Sequence, residues 1–173
     1  MKIIFALSAV LFAISPAFAG PGEAGHSHAH SHSHGSGHAH DAEVFGKPGN
    51  PKMSSREIKI TMKEADGKML FEPAELRITQ GEQIRFRITN AGALKHEMVI
   101  GTLEANMAHA KEMEKNPDME HDDPNGKQLE PSKSGEILWR FTKAGTFDFS
   151  CLVPGHRDAG MSGKMIVEAR RKS

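Results

Sequence analysis

Cys151-Leu152-Val153-Pro154-Gly155-His156-Arg157-Asp158-Ala159-Gly160-Met161 carries a thiolate, an imidazole and a thioether on one short loop at C-x4-H-x4-M spacing. Pro154 and Gly155 before the histidine, and Gly160 before the methionine, let such a loop fold back so that the three side chains converge on one atom. A soft thiolate with imidazole nitrogens and a weak thioether is a donor set for copper cycling between Cu(I) and Cu(II); zinc has no use for the methionine. A second imidazole must come from a separate segment. His96, in Asn90-Ala91-Gly92-Ala93-Leu94-Lys95-His96-Glu97-Met98, is the good candidate inside the folded part. Taken singly, Cys151 reads as a small buried hydrophobe, Met161 as core filler and His156 as a surface residue. Their coincidence in one loop is what selects a metal site.

The segments around this loop alternate with period two. Ile58, Ile60 and Met62 face one way and Glu57, Lys59 and Thr61 the other, the pattern of a half-buried strand. Asp66-Gly67 makes a turn, Leu76 and Ile78 continue the alternation, and Ile84, Phe86 and Ile88 repeat it opposite Arg85, Arg87 and Thr89. His96, Met98 and Ile100 share a face of the next strand, which brings His96 in from the inner side. Ile137, Trp139 and Phe141, then Phe147, Phe149 and Cys151, and finally a strand from Met165 to Ala169 complete the series. Short alternating strands between Gly and Asn turns predict an all-β protein, a β-sandwich. The pattern breaks only at Leu103–Pro117, which is helix-prone and stops at the proline, so a helical insertion is expected over 103–117. Met107, Met113, Met119, His109 and His121 in and after it are soft or borderline ligands that a second copper would accept. Methionine is also an ordinary gap filler where a helix lies on a sheet, and that is the simpler reading.

Over roughly its last two thirds the chain resembles the cupredoxins, the plastocyanin/azurin-like blue copper proteins. The ligand loop carries the resemblance, and Phe71-Glu72-Pro73-Ala74-Glu75-Leu76-Arg77-Ile78-Thr79-Gln80-Gly81-Glu82-Gln83-Ile84-Arg85-Phe86 extends it: aromatic-x-Pro, an alternating strand, a Gly turn and another strand. The resemblance implies a Greek-key β-sandwich over 55–173 holding one type 1 copper at His96, Cys151, His156 and Met161. Where many members follow the upstream ligand histidine with Asn, this chain has Glu97, which departs from the usual support for the thiolate; a backbone amide could substitute. With four donors in place no position is left for a substrate, which argues against an enzyme. Leu152, Val153, Pro154 and Ala159 are expected to surround the edge of His156 as a small apolar patch for electron exchange.

At 173 residues the chain accommodates one domain and appendages. Its 22 basic and 22 acidic residues are interspersed, which excludes a nucleic-acid footprint. A single cysteine forbids an internal disulfide. Met1–Ala19 reads as a secretory signal: Lys2, an apolar run from Ile3 to Ile14, and Ala17-Phe18-Ala19 as the cleavage site. The run is shorter than the ~20 residues a spanning helix needs, so no membrane span is expected after cleavage and the mature chain is expected to be exported. Residues 20–54 have no apolar period and are expected to form a disordered tail. Within it His26, His28, His30, His32, His34, His38 and His40 alternate with small residues, an arrangement for Cu(II), Ni(II) or Zn(II). A leader of this kind resembles that of the periplasmic cupredoxins of bacterial copper tolerance. It implies a protein of the periplasm acting in copper tolerance or homeostasis by binding and redox handling of copper, and a monomer is expected. Copper ions, and a redox partner or copper-transport protein, are the expected partners. A soluble periplasmic electron carrier is the alternative, although a dedicated carrier has no evident use for the extra imidazoles.

Overall fold

The computed structural model describes residues 44–117 and 123–171. Ten strands form two sheets: β1 (Gly46–Pro48), β2 (Arg56–Ala65), β3 (Lys68–Glu72), β4 (Glu75–Thr79), β5 (Gln83–Asn90), β6 (His96–Gly101), β7 (Gly126–Leu129), β8 (Ser134–Phe141), β9 (Gly145–Ser150) and β10 (Ser162–Glu168). One sheet runs β1-β8-β5-β2-β3 and the other β4-β10-β9-β6-β7. The neighbours β2 and β5, and β4 and β10, run parallel, while the remaining pairs are antiparallel. The alternation seen in the sequence is the alternation of the pleat. Ile84 lies opposite Trp139 and Phe86 opposite Ile137 in the β5–β8 register, all of them buried. These side chains meet Leu76, Ile78, Phe149, Met165 and Val167 of the other sheet in one core cluster. Each large apolar side chain so buried contributes roughly 1.5–3 kcal/mol relative to exposure.

The folded region starts earlier than residue 55. Phe45 is fully buried, stacked on Trp139 at 5.3 Å and packed beside Phe147 at 5.1 Å. Behind it β1 pairs with β8, and the buried Gln83 side chain accepts from Asn50 N–H (2.8 Å) and donates to the Asn50 and Met53 carbonyls. A lone aromatic anchor inside a Gly- and Pro-rich stretch leaves no periodic trace, which is why composition assigned 44–54 to the tail. Residues 1–19, the seven tail histidines, Met119 and His121 lie outside the described residues.

The expected insertion is helix α1 (Leu103–Lys115). Thr102 caps it by accepting from Ala105 N–H, Glu104 sits in the first turn and Lys115 in the last, and Asn116 ends it before Pro117. Met113 of this helix packs with Val99 of β6 and with Leu152 in a second cluster. The helix therefore covers Val99 on the outer face of β6, and every residue of that strand is buried. Met113 is core here, while Met107 is 41% exposed, so the helix does not bring these two methionines to one site. Leu152, expected at the edge of His156, is instead 1% exposed beneath α1 and takes no part in a surface patch there.

Candidate metal centre

His96 opens β6, Cys151 follows β9 directly, and His156 and Met161 sit on the loop that leads into β10. Gly155 (φ 81°) and Gly160 (φ 106°) take left-handed turns that a side chain would oppose. The loop then closes on itself through backbone bonds. His156 N–H donates to Val153 O (3.0 Å), Met161 N–H to His156 O (3.0 Å) and Cys151 N–H to Met161 O (3.1 Å). A buried network holds it from outside. Arg157 donates to both Asp148 oxygens (2.9 and 3.0 Å) and to Ser150, Ser150 donates to Asp148 (2.5 Å), and Asn106 of α1 donates to Asp148 (2.7 Å).

The result is a cluster. The ligand atoms of His96, Cys151 and His156 all lie within 4.8 Å of one another. His96 Nδ1 is 3.1 Å from His156 Nδ1, which is 3.3 Å from Cys151 Sγ. His96 and Cys151 are 0% exposed and His156 is 9% exposed. Met161, also fully buried, shares the core cluster with Cys151 and is tied to it through the backbone. The thiolate support expected from a backbone amide is present, since Glu97 N–H donates to Cys151 Sγ at 3.4 Å. The Glu97 side chain, 1% exposed, instead accepts from Leu152 N–H at 3.0 Å.

Electrostatics favour neutral donors. Burial pushes the Cys151 thiol up to about 12, against the opposing N–H donors of Glu97 and Val153. Burial, with His96 as a neighbour, holds His156 below its ordinary value, so its ring is neutral at pH 7. Burial also raises Glu97 to about 7, with the Leu152 N–H and Lys95 working in the other direction and Asp123 adding to the rise. Two imidazole nitrogens and one sulfur facing each other at 3.1–3.3 Å in a water-poor pocket form a soft, compact donor set, and it fits a type 1 copper site.

Two residues of this centre were not singled out from the sequence. Glu64, near the end of β2, accepts from His96 Nε2 at 2.7 Å and from the N–H groups of Ala93 (2.9 Å) and Leu94 (3.1 Å). Those donors, against the opposing effect of burial, keep its carboxyl below the usual range. No motif links residue 64 to residue 96, and nothing in the sequence marks the pair. Asn90 is fully buried at the end of β5; it donates to Leu94 O (2.7 Å) and Leu129 O (3.0 Å) and accepts from Gly92 N–H (2.9 Å). A polar residue at an inward position of an alternating strand was the available signal for it.

Residues 58–168 match the model of the copper binding proteins of the plastocyanin/azurin family. The copper-resistant cuproprotein CopI of Rubrivivax gelatinosus is 41% identical over 162 residues, covering 93% of this chain and 96% of that protein. The copper-resistant cuproprotein CopI of Pseudomonas aeruginosa is 33% identical over 155 residues, covering 73% of this chain and 83% of that protein. Among solved structures, auracyanin B superposes with a TM-score of 0.58 at 22% identity, over 70% of this chain and 95% of that one, a likeness of fold. The family match runs through both sheets and through every residue of the buried cluster, and the chain belongs to the plastocyanin/azurin family of copper-binding proteins.

Proposed function

We propose that this protein acts in copper tolerance and homeostasis in the periplasm, holding one copper at His96, Cys151, His156 and Met161. The observation that carries the reading is the buried convergence of His96, Cys151 and His156 donor atoms within 4.8 Å. When bound at such a donor set, copper supplies a one-electron couple between Cu(I) and Cu(II). The chain's own residues do the rest. Cys151 surrenders its thiol proton on loading, so loading releases a proton. His156, already neutral, offers a ligand without that cost. The Arg157–Asp148–Asn106 network and the closed backbone of the loop hold the donors still, and burial keeps water away from them.

His156 is the most exposed member of the cluster, with Val153 half-buried and Pro154 and Gly155 exposed just before it. That edge is where a redox or copper-transport partner would approach. Four donors from one chain leave no position for a substrate, which supports a binding protein over an enzyme. The relatives named as copper-resistant cuproproteins support a role in tolerance. Residues 1–19 are proposed as the export signal and residues 20–43, with their seven histidines, as a separate metal-binding tail. Among the described residues no helix is long and apolar enough to cross a membrane.

Deleting the gene should make cells copper-sensitive while growth at low copper continues, and a C151S copy should fail to restore tolerance. The exposed edge at Pro154 and Gly155 favours a second reading, a soluble electron carrier. That reading takes over if the deletion strain grows normally in high copper and loses a specific electron-transfer activity.

A further inference from the structure

We propose that Glu64 is the positioning residue of the copper site: it fixes the ring of His96 and aims the lone pair of Nδ1 into the cluster. The inference rests on the copper reading above. Its geometry is independent of any metal.

An ionised carboxylate only accepts hydrogen bonds. Because Glu64 Oε1 lies 2.7 Å from His96 Nε2, that nitrogen carries the ring proton, and Nδ1 is left with its lone pair. Nδ1 is the atom that faces His156 Nδ1 at 3.1 Å, so the carboxylate selects the tautomer a metal ion needs. The carboxylate is itself held. Ala93 N–H donates to Oε2 (2.9 Å) and Leu94 N–H to Oε1 (3.1 Å), so both oxygens are anchored by the loop that leads into His96.

Gly92 makes room for this cradle. A Cβ there would lie 2.4 Å from Glu64 Oε2 and 2.6 Å from Oε1, closer than atoms tolerate, so any larger residue displaces the carboxylate. The Asn90 side chain in turn accepts from Gly92 N–H at 2.9 Å and fixes the glycine. A chain of contacts therefore runs from Asn90 through Gly92 and Glu64 to the His96 ring, joining β2 to the start of β6. The Glu64 side chain is 29% exposed and His96 is wholly buried, so the pair forms the polar outer wall of the site. A carboxylate on the far nitrogen also places negative charge beside the site, which favours the more positive state of a bound ion.

A loop staple with no influence on the ring is the plain alternative, and ring nitrogens distinguish the two. In metal-free 15N-labelled protein, long-range 1H–15N correlation should show His96 as the Nε2–H tautomer. E64Q, whose amide oxygen still accepts, should keep it. E64A, and G92A through displacement of the carboxylate, should populate the Nδ1–H form. In the copper-loaded protein, competition against a chelator of known Cu(I) affinity should show E64A binding about 10- to 100-fold more weakly, with E64Q recovering much of the loss. Both position-64 variants should have a raised reduction potential, because the charge is gone. An unchanged His96 tautomer with unchanged affinity in E64A overturns the proposal. Should E64A fail to fold, a His96 tautomer unchanged in G92A overturns it instead. Failure of the unsubstituted protein to bind copper would count against the copper reading, while the tautomer measurement still decides the role of Glu64.

Discussion

Replacing Glu97 by Gln should make the metal-free protein more stable at alkaline pH and leave it unchanged in acid. Glu97 is 1% exposed, and burial first of all raises its carboxyl from an ordinary 4.5 to about 7 in the folded protein. A raised folded-state value means that the protonated form is the one the fold accommodates. Stability from this group is complete below 4.5 and is lost as pH climbs through about 7, because the folded protein must then ionise a buried acid. Each tenfold change in a protonation equilibrium is worth ~1.4 kcal/mol, so the interval from 4.5 to about 7 corresponds to about 3 kcal/mol. Glutamine stays neutral throughout and keeps an oxygen for the Leu152 N–H. The backbone donor to Cys151 is untouched by the change. Urea unfolding of the metal-free proteins between pH 4 and 9 should show the gap between E97Q and the unsubstituted protein opening across this window, reaching about 3 kcal/mol at its upper end. His156 titrates equally in both proteins and cancels in the difference. A gap that stays flat, or one that opens as pH falls, would show that Glu97 is not a buried acid held protonated by the fold.

Leucine at Met161 should keep copper and colour and raise the reduction potential, since a thioether is the weakest of the four donors; complete metal loss by elemental analysis would contradict this. Asp148→Ala removes the partner of the partly buried Arg157 and of Asn106, and urea unfolding should register a loss of about 3 kcal/mol, whereas a loss like that of a surface pair, about 1 kcal/mol or less, would dismiss the clamp. Removing residues 20–43 should lower the number of copper ions bound near neutral pH while leaving the visible band of the domain intact; equal stoichiometry with and without them would reduce the segment to a spacer.

Much of this fold was legible because period-two alternation has a direct physical cause. Ile84, Phe86 and Ile88 face the core and Arg87 and Thr89 do not, as the pattern predicts. The ligand loop was equally legible, since Cys151, His156 and Met161 lie within eleven residues and Gly155 and Gly160 mark its turns. Periodicity failed where a third layer intervenes. Helix α1 packs on Val99 through Met113, and Glu97 is buried against the Leu152 backbone, although their alternation with His96, Met98 and Ile100 places both outside. The same cover buries Leu152. Contacts between distant segments were invisible for a different reason: Glu64 reaches His96 across 32 positions through the parallel pairing of β2 with β5, and no local pattern encodes that. Phe45 shows the limit of composition, because one buried ring does not change the average of a polar stretch.

Copper bound through the Cys151 thiolate beside His96 and His156 is the feature on which the proposed role depends. Visible absorption of the purified, Cu(II)-loaded protein tests it most directly: the protein should show an intense thiolate-to-copper charge-transfer band, and a folded C151S variant should lack it. A band that survives in C151S, or a copper-loaded protein with no such band, would contradict the account.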